Sequence, residues 1–150
     1  MKKFRFPLQP VGILRTHQEL KAREEFAAAV HAYVQVEEKL GRLRARTAEL
    51  AELLARGRTD RFIAADAAAL LRVYRNECQA VLALELEVAE AREKMQLKRN
   101  AYIDANRRLK IVQRLEEKAR ANHSFAVQRA SQEELDELAG FRAFRQLSLS

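Results

Sequence analysis

The sequence predicts an all-α protein, a long antiparallel two-helix coiled-coil hairpin with a short C-terminal helix. Three observations carry that expectation. Ala, Glu, Lys, Leu and Arg make up 91 of the 150 residues, the composition of long helices. Four Gly and two Pro leave too few turn formers for an all-β sandwich. Apolar residues recur at alternating steps of three and four along two long runs, with one short polar break between them.

Pro10 suits the first turn of a helix, where its missing N–H would have had no partner. From there helix 1 is expected to run to about Arg56. Its stripe is Ala22, Phe26, Ala29, Tyr33, Val36, Leu40, Leu43, Thr47, Leu50 and Leu54, nine of ten apolar. A seam repeating every 3.5 residues stays on one face and needs a second helix to cover it. The break is Ala55-Arg56-Gly57-Arg58-Thr59-Asp60. Gly57 reads as the left-handed residue that ends helix 1, and Thr59 or Asp60 as the cap of helix 2, with Asp66 a second cap candidate.

Helix 2 is expected from about Arg61 to Arg129, roughly 100 Å. Its stripe runs Leu70, Tyr74, Glu77, Val81, Leu84, Val88, Ala91, Met95, Lys98, Tyr102, Ala105, Leu109, Val112, Glu116, Ala119, His123, Ala126 and Ala130, fourteen of eighteen apolar. A turn near 57–60 places Val11 near Asn106, so that about twenty residues of helix 2 extend beyond helix 1. Ser131-Gln132-Glu133-Glu134 has the spacing of a capping box. It predicts a break there and a short third helix, Gln132 to about Phe144. The expected organisation is thus a hairpin over 1–130, then a short acidic helix and flexible tail over 131–150.

Net charge is +7 and unevenly spread. Residues 1–15 hold four bases and no acid, 16–91 eleven bases against thirteen acids, and 92–129 eleven bases against four acids. Residues 131–139 then carry four acids and no base. The basic segment coincides with the expected overhang, where an acidic partner would dock.

The residues offer no enzymatic constellation. Gly12, Gly41, Gly57 and Gly140 are isolated and no Gly-Lys-Ser/Thr occurs, so no phosphate loop is expected. His17, His31 and His123 lie far apart, and no Cys or carboxylate stands at a metal-ligand spacing. No cofactor and no metal are expected, and a two-helix hairpin has little concavity to shelter a reaction. A lone Cys78 makes no internal disulfide. Without an apolar run of membrane-spanning length, and with no apolar stretch after Lys2 and Lys3 of the kind a secretory signal needs, the expectation is a soluble cytoplasmic chain with no direct membrane insertion.

The opening Phe4-Arg5-Phe6-Pro7-Leu8-Gln9-Pro10-Val11-Gly12-Ile13-Leu14-Arg15 resembles the start of the FliJ family, small components of the flagellar type III protein export apparatus. Phe4, Phe6, Leu8, Val11, Leu14 and Arg15 match its pattern, and Pro7, Pro10 and Gly12 depart from it. Lys110-Ile111-Val112-Gln113-Arg114-Leu115 lies where the family has a Leu/Lys-rich patch, and Glu134-Leu135-Asp136-Glu137-Leu138-Ala139 looks like the family's C-terminal motif. The resemblance implies a non-enzymatic stalk similar to the γ-subunit of rotary ATPases. Its implied partners are the hexameric export ATPase, the cytoplasmic domain of the export gate membrane protein, and export chaperones. Its implied location is the cytoplasm, peripheral to the inner-membrane export apparatus.

With that resemblance, Lys2, Lys3, Arg5, Arg107, Arg108, Lys110, Arg114, Lys118 and Arg120 become candidates for contact with the ATPase ring. Phe4, Phe6 and Leu8 are expected to staple the N-terminus onto Leu109, Val112 and Leu115. The resemblance also implies a gate contact through an apolar patch near the start of helix 2. Leu71, Cys78 and Leu82 are either that patch or flank positions of a broad seam. Two other functions remain open on the residues: the equivalent stalk of an injectisome secretion system, and a basic coiled coil on nucleic acid. The second is disfavoured, because Tyr102 and Phe125 give the basic run too little aromatic interleaving for base stacking.

Overall fold

The computed structural model describes residues 3–59 and 63–149, and the backbone alone at 58 and 59. Two helices account for nearly all of it: α1 over Gln9–Thr59 and α2 over Ala64–Ser148, with no strand among the described residues. The chain is all-α, and its contacts divide it into two compact units. Unit 1 joins the N-terminal residues up to Glu19 to Ala105 and the residues after it; unit 2 is Leu20–Asp104. Each is an antiparallel pair of helical segments.

In unit 2 the predicted seam is the observed one. All ten stripe positions of α1, Ala22 to Leu54, are buried or half-buried, as are the ten of α2 from Leu70 to Tyr102. Only Ala29 and Leu40 fall to about one-twentieth exposed, because a pair of helices leaves both flanks of its seam open to water. Phe26 stacks on Tyr102 with ring centroids 6.0 Å apart and planes 10° from parallel. Thr47, the one polar residue in the α1 stripe, donates its hydroxyl proton to the Leu43 carbonyl at 2.7 Å, so it enters the seam satisfied.

The flanks carry cross-helix charge pairs. Lys98 reaches Glu25 at 3.0 Å, Arg44 reaches Glu85 at 2.8 Å, and Arg46 lies 3.6 Å from Glu77. Arg92 donates to the Tyr33 hydroxyl at 3.1 Å with its guanidinium over the ring. Exposed pairs like these add little stability but penalise wrong registers.

Unit 1 continues the same stepping. Ala105, Leu109, Val112, Glu116, Ala119 and His123 are buried or half-buried, whereas Ala126 and Ala130 are exposed and Val127 takes over. The N-terminal segment covers this stretch. The Phe6 carbonyl accepts from the Gln9 amide at 3.2 Å and the Leu8 carbonyl from Gly12 at 3.0 Å, which starts α1 with Pro10 in its first turn. Gly12 lies so close to Val112 that a Cβ there would stand 3.4 Å from Val112 Cγ1. The Phe4 ring meets His123 edge-on at 5.4 Å and lies 4.9 Å under the Arg120 guanidinium. Phe6 shares a groove with Leu109 and Val112 as expected. Leu8 and Leu115 stay exposed, so the staple is made by the two phenylalanines.

Four expectations are corrected. Gly57 does not end α1: the helix continues to Thr59 and no described residue has a positive φ. A helical Gly costs only about 1 kcal/mol, and the Arg56–Glu52 pair at 2.8 Å braces the turn around it. The caps proposed at Thr59 and Asp60 fall outside the described side chains. Asp66 is not the cap, since the Ile63 carbonyl accepts from the amides of Asp66 and Ala67. Its carboxylate sits instead in the first turn, where the helix dipole favours it.

Because the turn lies later than predicted, the register moves by about one heptad. Val112 stands against Gly12, so Asn106 does not stand opposite Val11. The overhang moves with it. Most of the basic segment is covered along its seam by the N-terminal residues, and the uncovered part of α2 begins near residue 128. No break occurs at Ser131, and no third helix forms: α2 is continuous to Ser148. Arg129–Glu133 at 3.2 Å and Gln132–Asp136 at 2.9 Å bridge the expected break from one turn to the next.

Candidate functional site

The residues singled out for function fall on two surfaces, one in each unit. On unit 1, Lys3, Arg5, Arg107, Arg108, Lys110, Arg114, Lys118 and Arg120 are all exposed, and Lys2 lies outside the described residues. The structure sorts them. Arg120 is engaged within the fold, bonded to Glu116 at 3.0 Å and capping the Phe4 ring. Arg108 flanks the seam. At 100° per residue, Arg107, Lys110, Arg114 and Lys118 instead form a stripe on the side of α2 turned away from the seam. None of these four has an ion-pair partner among the described residues. Sequence reasoning missed the apolar companions of this stripe, Ile111 and Phe125, at 58 % and 67 % exposed. The signal for them was their 3.6-residue spacing with the bases.

On unit 2, Leu71 and Leu82 are exposed and Cys78 is half-buried. Cys78 and Leu82 line a shallow apolar groove together with Ala48 and Ala51 of α1 and Tyr74 and Val81 of α2. Cys78 faces this groove from the flank of the seam, and its thiol pushes the Tyr74 phenol above its ordinary pKa. Leu71 lies outside the groove. Leu86, one turn beyond Leu82 and 69 % exposed, extends the apolar line and was not singled out from the sequence.

Among the described residues no group of three His, Cys, Asp or Glu can hold a metal, and no helix is long and apolar enough to cross a membrane. Exposed side chains on a helix pair are suited to docking against another macromolecule.

The family described as Flagellar FliJ protein matches residues 4–148, nearly the whole chain. The chain belongs to the FliJ family. That family is a non-enzymatic component of flagellar protein export. No curated protein and no solved structure matches the chain.

Proposed function

We propose that this chain is a stalk and adaptor of the flagellar export machine. It binds the hexameric export ATPase through the basic surface of unit 1 and links it to the cytoplasmic domain of the export gate through the apolar groove of unit 2. Export chaperones are its further partners, and it works in the cytoplasm, peripheral to the inner-membrane apparatus. The observation that carries this reading is the stripe Arg107, Lys110, Arg114 and Lys118, turned away from the seam and without an ion-pair partner among the described residues. A fold keeps such a row of like charges at some cost in self-repulsion, and an acidic ring lining supplies the compensation. Lys3 and Arg5 add to the same field.

The test is co-purification with the export ATPase, with ATP turnover measured in the presence and absence of this chain. Complex formation and stimulated turnover are expected, both weakening as salt rises. The double variant Arg114→Glu, Lys118→Glu should lose the complex while keeping its melting temperature. No complex and no stimulation with the unaltered chain would sink the reading.

A further inference from the structure

Helix α2 carries its seam beyond anything that covers it. Val127 is half-buried, and from residue 128 to 149 every residue is exposed. Steps of four, three and four place Glu134, Leu138, Phe141 and Arg145 on one face of that stretch. Leu138 is 59 % exposed and Phe141 68 %. Charge is sorted by sign along this stretch of the helix: Glu133, Glu134, Asp136 and Glu137 precede the two apolar residues, and Arg142 and Arg145 follow them, with Glu134 and Arg145 the two that stand on the face itself. Arg129 holds Glu133 and Gln132 holds Asp136 within the helix. Glu134 and Arg145 have no oppositely charged partner among the described residues, since the residues one turn away toward the centre are Leu138 and Phe141.

We propose that this face pairs with the same face of a second copy of the chain, antiparallel, about a two-fold axis passing between residues 139 and 140. Antiparallel pairing brings Leu138 against the partner's Phe141 and Phe141 against the partner's Leu138. On either side of these apolar layers Glu134 meets the partner's Arg145, so both unpaired charges are satisfied twice by one symmetry operation. A parallel pair would stack Glu134 on the partner's Glu134 and Arg145 on the partner's Arg145. Seam charges therefore fix the orientation. An interface of about six helical turns sits at the small end of specific complexes, ~1,200 Å², so the dimer is reversible. The proposal does not depend on the ATPase or gate contacts.

The experiment is analytical ultracentrifugation of the full chain over a wide concentration range. A monomer–dimer equilibrium is expected. Arg145→Glu and Glu134→Arg should each weaken it by roughly tenfold or more, because each sets two like charges in the seam. The double variant Glu134→Arg, Arg145→Glu should restore it, and Leu138→Asp should abolish it. Circular dichroism of each variant checks that helix content is kept, and the charge swaps, at positions exposed in the monomer, leave the fold intact. A monomer at every concentration, or a dimer indifferent to both single reversals and to Leu138→Asp, would overturn the proposal. A dimer weakened by the single reversals but not recovered by the double variant would also overturn it.

Discussion

Lys98 stands on the apolar seam of α2 and donates from Nζ to Glu25 Oε2 of the facing helix at 3.0 Å. Glu77, the other charged residue in that part of the seam, lies 3.6 Å from Arg46. Both charges that interrupt the stripe are therefore answered across it, and the answers specify one alignment. Slipping α1 by one heptad would replace Arg44 with Glu37 opposite Glu85, and Phe26 with Glu19 opposite Tyr102. A like-charge pair and a lost ring stack disfavour that alternative.

The Glu25–Lys98 bond makes a pH prediction. Hydrogen bonding and charge attraction from Lys98 hold the Glu25 carboxyl below its ordinary value of 4.5. A carboxyl whose folded pKa is depressed stabilises the fold above its unfolded value, and loses that contribution as pH falls through the folded value. The difference in melting temperature between the unaltered chain and Glu25→Gln should be constant from neutral pH to about 5, then shrink toward zero under more acidic conditions. Because the pair is exposed, the difference should also shrink with added salt. A difference that grows in acid would contradict the assigned pairing.

Seam and surface leucines should separate cleanly. Leu40 is 5 % exposed and Leu82 63 %. Truncating Leu40 to Ala removes buried methyl groups and should cost about 2–3 kcal/mol, near the low end of core truncations because the seam is open at its flanks. Leu82→Glu should change stability by less than about 0.5 kcal/mol, and Leu71→Glu should behave likewise. With the groove beside Cys78 as the docking site for the export gate, Leu82→Glu should nonetheless impair flagellar export, read as loss of motility in a complemented strain. A large fall in melting temperature with Leu82→Glu would assign that residue to the seam instead.

Gly41 offers a stabilising change. It lies inside α1 with nothing within 4 Å of where a Cβ would stand. Gly41→Ala adds a methyl without a clash and reduces the freedom of the unfolded backbone. The gain should be about 1 kcal/mol, a rise of roughly 2–4 °C in the thermal midpoint. An unchanged or lower midpoint would mean that α1 is not helical through residue 41 in solution.

The seam was legible because its information is local: three- and four-residue steps of apolar side chains define a face whatever the partner does. Sixteen of the eighteen stripe positions in α2, Leu70 to His123, are the ones that lie against α1 or the N-terminal segment. Chain punctuation was misleading for the opposite reason. Gly57 and the Ser131–Glu134 spacing are helix-end signals worth about 1 kcal/mol each. Here Glu52–Arg56, Arg129–Glu133 and strong helix formers on both sides carry the helix through. On the candidate surfaces, the basic residues were legible as a run. Sorting them into a free stripe and an Arg120 held by Glu116 and Phe4 needed the fold, because Phe4 lies more than a hundred positions away in sequence.

Register is the consequence of that misread turn, and it can be measured directly. The Tyr33–Arg92 bond at 3.1 Å and the Arg44–Glu85 pair at 2.8 Å bracket Val36, which places Val88 rather than Val81 across from it. All three valines are half-buried on the seam, so side-chain direction is matched and axial offset alone separates the two pairs. One heptad along a helix is about 10 Å. Spin labels introduced through cysteines at Val36 and Val88, in a Cys78→Ser background at dilute concentration, should give a distance several ångströms shorter than labels at Val36 and Val81. The reverse order would mean that the helices adopt the earlier turn near Gly57, and the Lys98–Glu25 bond with the acid dependence argued from it would have to be abandoned together.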